Sequence, residues 1–181
     1  LFINRSLPRG EHSIDITTTF SAADPPDTVC RMLTGVARRL PGLRSSAEPV
    51  TRTGATGEYT TTIPLPTPAE DAEARSTFLR WIWYAARREE LSLDNVTDDF
   101  PSPLLFDDAL QVVGRSLHLS RTDQELVREH IRVVRYGVGE IVQERGTVPV
   151  RMMFVVSGQV RLEVRSGGAV VGIRTLERGD F

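Results

Sequence analysis

The chain has 181 residues, of which 40% are hydrophobic and 25% charged, and its formal net charge is −2. This composition is typical of a globular chain with one core or two small ones, and the charge gives no broad attraction to nucleic acid. All 22 positive residues are arginine, which argues against P-loop, kinase-type and Schiff-base chemistry because each needs a lysine amine.

The first element is a half-buried strand, "HSIDITTTF" at residues 12–20, in which apolar and polar residues alternate. The prolines of "DPP" then predict the start of a helix. In that helix, apolar residues recur at three- and four-residue steps and predict one buried stripe. The stripe consists of Val29, Met32, Leu33, Val36, Ala37 and Leu40. Cys30 lies beside this stripe, and as the single cysteine it indicates core packing without a functional role.

The next segment, residues 48–66, reads as two strands joined by a turn around Gly54 to Gly57. Residues 68–90 predict the longest helix, with acids in its first turn and Arg87 and Arg88 near its end. A short run, "LSLD" at residues 91–94, predicts a last strand. The resulting order is the split β-α-β arrangement of the ferredoxin-like fold, in the α+β class.

The long helix carries an aromatic group, Trp81, Trp83 and Tyr84, that could form a membrane belt or a stacking platform. Packing beside a core-facing stripe is the favoured interpretation. That stripe is predicted to contain Phe78, Leu79, Ile82 and Ala85.

Catalytic machinery is not visible in the sequence. His12, His118 and His130 have no neighbouring metal-ligand partner, and no Gly-x-Ser-x-Gly elbow occurs. We therefore predict a protein that is not an enzyme, with no catalytic residues and no metal site.

A change of composition marks a predicted domain boundary near Val96, where Asp, Pro and Ser become frequent. Residues 97–104 would form a linker.

Two helical segments follow, the second with Ser120 as N-cap and Asp123 three residues later. Five strands are then predicted at residues 132–136, 140–144, 152–156, 160–164 and 169–176. Their predicted turn glycines are Gly139, Gly146, Gly158 and Gly179.

Residues 105–181 resemble the start of a cyclic nucleotide-binding domain. The shared features are "YGVGE", the turn glycine Gly146, the Ser-Gly pair at Ser157 and Gly158, and the closing "LERGDF". The resemblance implies a β-roll with flanking lead-in helices and a regulatory ligand, cyclic AMP or cyclic GMP, with no other cofactor. It also implies that Ile173 and Arg174 face the purine while Val142 and Gln143 lie on the opposite strand. For Val142 and Ile173, simple packing in the roll core is an equal alternative.

In that family an arginine and backbone donors of a phosphate-binding cassette follow the Gly-Asp-Phe turn. The sequence stops at Phe181, so the resemblance implies a roll truncated before its phosphate-binding cassette.

Residues 1–101 resemble the cytoplasmic part of the small-conductance mechanosensitive channel family, through the order of elements and the Phe-Pro pair at Phe100 and Pro101. The resemblance implies that residues 1–11 end a preceding β-domain and that residues 12–96 form a ferredoxin-like cytoplasmic domain. It further implies a homo-oligomer, heptameric in the family, anchored in the cell membrane by a pore region outside this chain.

Together the two resemblances predict a cytoplasmic regulatory region of a mechanosensitive ion channel, whose cyclic nucleotide sensor would modulate gating. A soluble regulator with the same sensor is the alternative, either a transcription factor or an enzyme-regulatory domain. A transcription factor would need a basic DNA-binding face, which the net charge does not favour. Nucleic acid is therefore not an expected partner.

Overall fold

The computed structural model describes residues 12–44, 47–93, 98–144, 146–166 and 169–181, and in it the chain divides into two compact units. The first unit contains the described residues up to Leu93 together with Arg135–Val142. The second contains Asp98–Val134 and Gln143–Phe181. The predicted α+β class is confirmed, but Arg135–Val142 packs with the first unit although the sequence assigned it to the second. The predicted tail, residues 1–11, and the boundary at Val96 lie outside the described residues.

The first unit is a three-stranded antiparallel sheet with two helices. Its elements are β1 (His12–Thr19), α1 (Pro26–Arg38), β2 (Val50–Thr53), β3 (Glu58–Leu65), a 3-10 turn (Pro68–Glu70) and α2 (Asp71–Arg88). The sheet has the order β1-β3-β2, and β1 pairs with β3 over eight residues, from His12 opposite Leu65 to Thr19 opposite Glu58.

Both helices begin and end where their sequences indicate. Pro25 caps α1 in an extended conformation and Pro26 follows at the first helical position, where a missing N–H costs nothing. A capping box between Thr67 and Glu70 precedes α2. The last turn of α2 carries Arg87 and Arg88, which complement the helix dipole.

One continuous core lies between the sheet and the two helices. The predicted α1 stripe is buried at every position, and Val29, Leu33 and Phe78 have no exposed surface. The prediction for Leu79 was wrong, because 43% of its surface is exposed. Successive helical residues are rotated by about 100°, so the residue after Phe78 turns away from the sheet while Ile82 and Ala85 return to it.

The predicted last strand of this unit is not formed at Leu91 to Leu93, and Asp94 lies outside the described residues. Instead of a ladder there is one backbone bond, from Ser21 N to Ser92 O at 3.2 Å. The Ser92 N–H donates to the Asp24 carboxylate at 2.9 Å, so it is not available for strand pairing.

The second unit starts with α3 (Pro103–Ser116) and α4 (Arg121–Val127), followed by a 3-10 turn (Arg128–His130). Ser120 and Asp123 form the predicted capping box of α4. A two-stranded antiparallel sheet follows, made of β4 (Val160–Ser166) and β5 (Ala169–Leu176). None of the described helices of either unit is long and apolar enough to cross a membrane.

Three predicted strands are absent from the described residues: 132–136, 140–144 and 152–156. Backbone groups in and beside these segments have other partners. The carbonyls of Arg135 and Val138 accept from side chains of α2. The N–H and carbonyl of Val155 bond to Asp180 and Gly179. Because an N–H has one hydrogen to donate, the Val155 N–H cannot also join a ladder with another strand.

We predict that Phe78→Ala lowers the free energy of unfolding of the first unit by about 3–5 kcal/mol, because it empties a fully buried site. The adjacent Leu79→Ala is the control and should change it by about 0.5 kcal/mol or less. Trp81 and Trp83 are the two tryptophans of the chain, so urea unfolding followed by tryptophan fluorescence reports on this unit. Equal losses for both variants would contradict the core described here.

The β2–β3 turn gives a second prediction. Gly57 has φ +77°, and a Cβ there would lie 2.6 Å from the Phe20 carbonyl oxygen. We expect Gly57→Ala to destabilise the first unit by about 1–3 kcal/mol. Gly54→Ala is the matched control, because its Cβ would meet nothing closer than 3.5 Å. The same fluorescence-detected urea unfolding distinguishes the two, and a stable Gly57→Ala variant would show that the turn can rearrange.

Candidate functional site

The residues predicted to contact a nucleotide base do not all lie in one unit. Val142 belongs to the first unit, whereas Gln143, Ile173 and Arg174 belong to the second. Gln143 donates from Nε2 to the Thr147 carbonyl at 3.1 Å. Arg174 Nη2 donates to Asp180 Oδ1 at 2.9 Å. These two polar side chains therefore contact neighbouring parts of the second unit.

Ile173 occupies a bulge in β5. Leu162 is paired with Arg174 and Glu163 with Gly172, which leaves Ile173 as the extra residue between them. Its surface is 64% exposed. A bulge redirects a side chain relative to the regular pleat, and here it presents an apolar side chain to solvent.

The turn at Glu177–Asp180 closes the second unit. Asp180 accepts the Glu177 N–H on its carboxylate at 2.9 Å and the Arg174 guanidinium on its other oxygen. Gly179 has φ +91° and its N–H donates to Val155 O at 2.8 Å. Its carbonyl accepts from the Ser116 hydroxyl at 2.8 Å. The Gly-Asp turn singled out in the sequence is thus attached to the end of α3.

A bidentate ion pair joins this turn to the first half of α3. Arg178 donates to the two carboxylate oxygens of Asp108 at 2.6 and 2.9 Å and also to the Val156 carbonyl. The hydrogen bond from Arg178 lowers the pKa of Asp108 and raises that of Arg178. Both side chains are 40% or more exposed, so solvent screens the pair.

The four predicted turn glycines all have positive φ, between +78° and +91°. The structure places Gly139 in the first unit and Gly146, Gly158 and Gly179 in the second. The left-handed region is disfavoured for residues that carry a Cβ.

The segment Arg135–Val142, which we call the strap, packs on α2 within the first unit. Trp81 donates its indole N–H to the Val138 carbonyl at 3.1 Å. Arg88 donates to the Arg135 carbonyl at 2.8 Å. Gly137 is buried, and a Cβ at that position would lie 2.9 Å from the Tyr84 ring. The strap therefore follows the surface of α2 closely, through its backbone.

An ion pair between Arg88 and Glu140 fixes the strap. The side chain of Glu140 is only 2% exposed and that of Arg88 15%. Besides the ion pair, Glu140 accepts the Gly137 N–H at 2.8 Å, which closes a tight turn within the strap. Removing one member of such a buried pair leaves the other charge without compensation.

Arginines and aromatic rings stack beside this pair. The guanidinium of Arg87 lies 3.7 Å from the centre of the Trp83 ring, and that of Arg135 lies 4.5 Å from it. Arg88 lies 4.1 Å from the Tyr136 ring. Such contacts are favourable cation–π interactions. Burial, followed by the charge of Arg87, lowers the pKa of Arg135.

Local sequence patterns gave no indication of these contacts. Trp81 packs as expected and is only 3% exposed. It contacts the strap as well as the core of the first unit. Arg88 and Glu140 are 52 positions apart, and neither lies in a motif that specifies the other. Likewise, Asp108 and Arg178 are 70 positions apart.

An open groove of about 350 Å³ lies in the first unit and is lined by Asp24 and the β2–β3 turn from Thr53 to Tyr59. Its two ionisable acids, Asp24 and Glu58, make it unsuited to an anionic phosphate. Asp24 already accepts the Ser92 N–H. The groove is therefore not suited to bind a phosphate group.

Within the described ranges, no group of three or more His, Cys, Asp or Glu side chains could hold a metal ion. Cys30 packs against the core of the first unit. Burial, with a smaller effect of Asp27, raises the pKa of its thiol. A raised pKa lowers the fraction of reactive thiolate.

Comparisons of the chain with protein-family models, curated proteins and solved structures give no match.

We predict that the Arg178–Asp108 pair stabilises the second unit at neutral pH and that this contribution disappears in acid. Because folding lowers the pKa of Asp108, the stabilisation is complete above the ordinary aspartate pKa of about 3.9 and is lost as the pH falls through the lower folded value. Asp108→Asn should therefore lower the melting temperature at about pH 7, and the difference from wild type should be smaller at a pH below the ordinary aspartate pKa of about 3.9.

The measurement is thermal unfolding by far-ultraviolet circular dichroism at both pH values. Glu125→Gln, at an exposed position of α4, controls for the loss of one negative charge. A difference between Asp108→Asn and wild type that is equal at the two pH values would contradict the assigned role of the pair.

Proposed function

We propose that this chain is the cytoplasmic regulatory region of a mechanosensitive ion channel and that its second unit belongs to a sensor for cyclic AMP or cyclic GMP. The observation that carries the proposal is the succession of two features in one chain. An antiparallel β1-β3-β2 sheet with two helices comes first. A glycine-rich segment ending in a Gly-Asp-Phe turn follows.

For the first unit we propose the ferredoxin-like fold. Three antiparallel strands in the order β1-β3-β2, with helices after the first and third, form most of that arrangement. The hydrogen bond between Ser21 and Ser92 supports it, because it brings the end of the unit beside the chain that leaves β1. That is the side of the sheet on which a fourth strand would pair.

For the second unit we propose part of a cyclic nucleotide-binding β-roll with lead-in helices α3 and α4. Support comes from the left-handed glycines Gly146, Gly158 and Gly179 and from the attachment of the Gly-Asp turn to α3. The bulge at Ile173 presents an apolar side chain that could pack on a purine face. Arg174 would have to exchange its bond to Asp180 for a ligand contact.

In this proposal, nucleotide binding is coupled to the equilibrium between the open and closed channel. A nucleotide can bias gating only if it binds the open and closed arrangements of the channel with different affinity. The pore region would lie outside this chain, and the subunits would assemble as a homo-oligomer on the cytoplasmic side of the cell membrane.

A soluble cyclic nucleotide-responsive regulator is the alternative function, and the coding sequence before Leu1 distinguishes it from the channel. A bilayer-spanning apolar segment there supports the channel.

Isothermal titration tests the sensor. The cyclic phosphate carries a negative charge, and the contacts proposed for Val142, Gln143, Ile173 and Arg174 are mainly to the base. We therefore expect the 181-residue chain to bind cyclic AMP and cyclic GMP with a Kd of about 1 mM or weaker, because an unmatched phosphate is costly to desolvate.

A longer polypeptide that continues into a phosphate-binding cassette should bind more tightly, and Ile173→Ala should weaken that binding. Linear 5′-AMP is the control ligand. Absence of binding by the longer polypeptide would overturn the sensor proposal. Micromolar binding by the 181-residue chain would mean that other residues hold the phosphate.

A further inference from the structure

The open groove of the first unit lies where the chain leaves β1 and where β2 turns into β3. Its volume of about 350 Å³ is at the lower end of the sizes that hold a small organic molecule. Part of its wall is apolar carbon, from Ala22, Pro26 and Ala55. The acids of the wall are Asp24 and Glu58, and none of the described residues that line the groove is basic. The groove therefore combines apolar carbon with negative charge.

Asp24 is the buried acid of this wall, with 9% of its surface exposed. One oxygen of its carboxylate accepts the Ser92 N–H at 2.9 Å. The other oxygen has no hydrogen-bond partner in the described part of the chain and keeps some contact with solvent. Asp24 also forms no ion pair with a described residue. Because a carboxylate largely removed from water is unfavourable without a cation, Asp24 can accept one more donor, and a charged donor suits it best.

The surroundings of Asp24 compensate its charge only in part. Asp24 directly precedes Pro25, the N-cap of α1, and the dipole of that helix places partial positive charge there. The first turn of the same helix carries a second acid, Asp27, which opposes this effect. Burial, followed by the charges of Cys30 and Asp24, raises the pKa of Tyr59, which also lines the groove. Together these groups leave a negative potential in the groove.

We propose that the groove binds a small alkylamine, with a diamine as the best match. One ammonium group donates to the second oxygen of Asp24, where burial strengthens the interaction between the charges. The other ammonium group lies near Glu58, which is exposed and contributes a weaker, screened attraction. The alkyl chain between them covers Ala22 and Pro26 and removes apolar surface from water. The inference concerns the first unit alone and does not rest on the nucleotide sensor.

A metal ion fits the groove less well than an amine. Calcium takes about six to eight oxygen ligands, most of them from several carboxylates and carbonyls. Among the residues that the structure describes, no group of three or more His, Cys, Asp or Glu side chains could hold an ion. An ion would also leave the apolar part of the wall uncovered, whereas an alkyl chain covers it.

Nitrogen–proton correlation NMR of the full chain, titrated with 1,4-diaminobutane in about 0.15 M NaCl, tests the proposal. We expect saturable shifts of the Ser92 amide, which is bonded to Asp24, and of the Gly57 and Glu58 amides in the turn. For one partly buried ion pair we expect a Kd of about 1 mM. Butane-1,4-diol has the same carbon chain without charge and should bind at least about tenfold more weakly.

Three variants separate the charge of the groove from the net charge of the chain. Asp24→Asn keeps an acceptor for the Ser92 N–H but removes the buried charge, so it should raise the Kd about tenfold or more. Glu58→Gln should raise the Kd about two- to threefold, because the attraction of an exposed acid is screened. Asp27→Asn removes an exposed acid that does not line the groove, and it should leave the Kd within about twofold of wild type.

Shifts that stay linear in diamine concentration, or an equal Kd for wild type and Asp24→Asn, would overturn the proposal. Urea unfolding followed by tryptophan fluorescence checks that Asp24→Asn is folded. If it is not, the comparison of diamine with diol on wild type decides, and equal shifts count against the site. Tighter binding of N-acetyl-lysine amide than of the diamine would assign the groove to a lysine of another protein and overturn the choice of a small amine. Tighter binding of Ca²⁺ at the same amides would overturn the choice of an organic cation.

Discussion

The buried carboxylate of Glu140 has to meet a positive charge, and Arg88 provides it. With this ion pair in place, α2 is covered on two sides. One side carries Phe78 and Ile82 into the sheet, and the other holds the strap through Arg88 and Trp81. The charge on Arg88 also suits the end of the helix, where it complements the dipole. A single side chain therefore ends α2 favourably and fixes a segment that lies 52 positions away.

Local patterns predicted the first unit well. The α1 stripe, the two helix starts and the β2–β3 hairpin depend on contacts within a few residues, so periodicity and capping residues are sufficient to find them. Leu79 was misplaced because a run of large apolar residues does not by itself define the buried face. The predicted last strand is not formed because the Ser92 N–H donates to the Asp24 carboxylate, and no sequence pattern indicates this competing hydrogen bond.

The second unit was predicted less completely, for a physical reason. Strand patterns indicate which residues could form a sheet, but they do not say which partner a segment chooses. In residues 132–144 the strand-like pattern competes with side chains of α2 that lie about fifty positions earlier, and in residues 152–156 it competes with the Gly-Asp turn. The positive φ of the four glycines is consistent with their expected turns. The partners of Gln143 and Arg174, in contrast, became visible only in three dimensions.

The direction of β1 has a mechanical consequence for the first unit. β1 begins at His12, and the chain that follows α2 returns just beyond the other end of β1, at the hydrogen bond between Ser21 and Ser92. A pulling force applied between these two points runs along the strand axis. Because ladder bonds lie perpendicular to the strands, the eight paired positions between β1 and β3 resist that force in shear, all together, and are not peeled apart one by one. The sheet is therefore oriented to transmit tension along the chain with little extension.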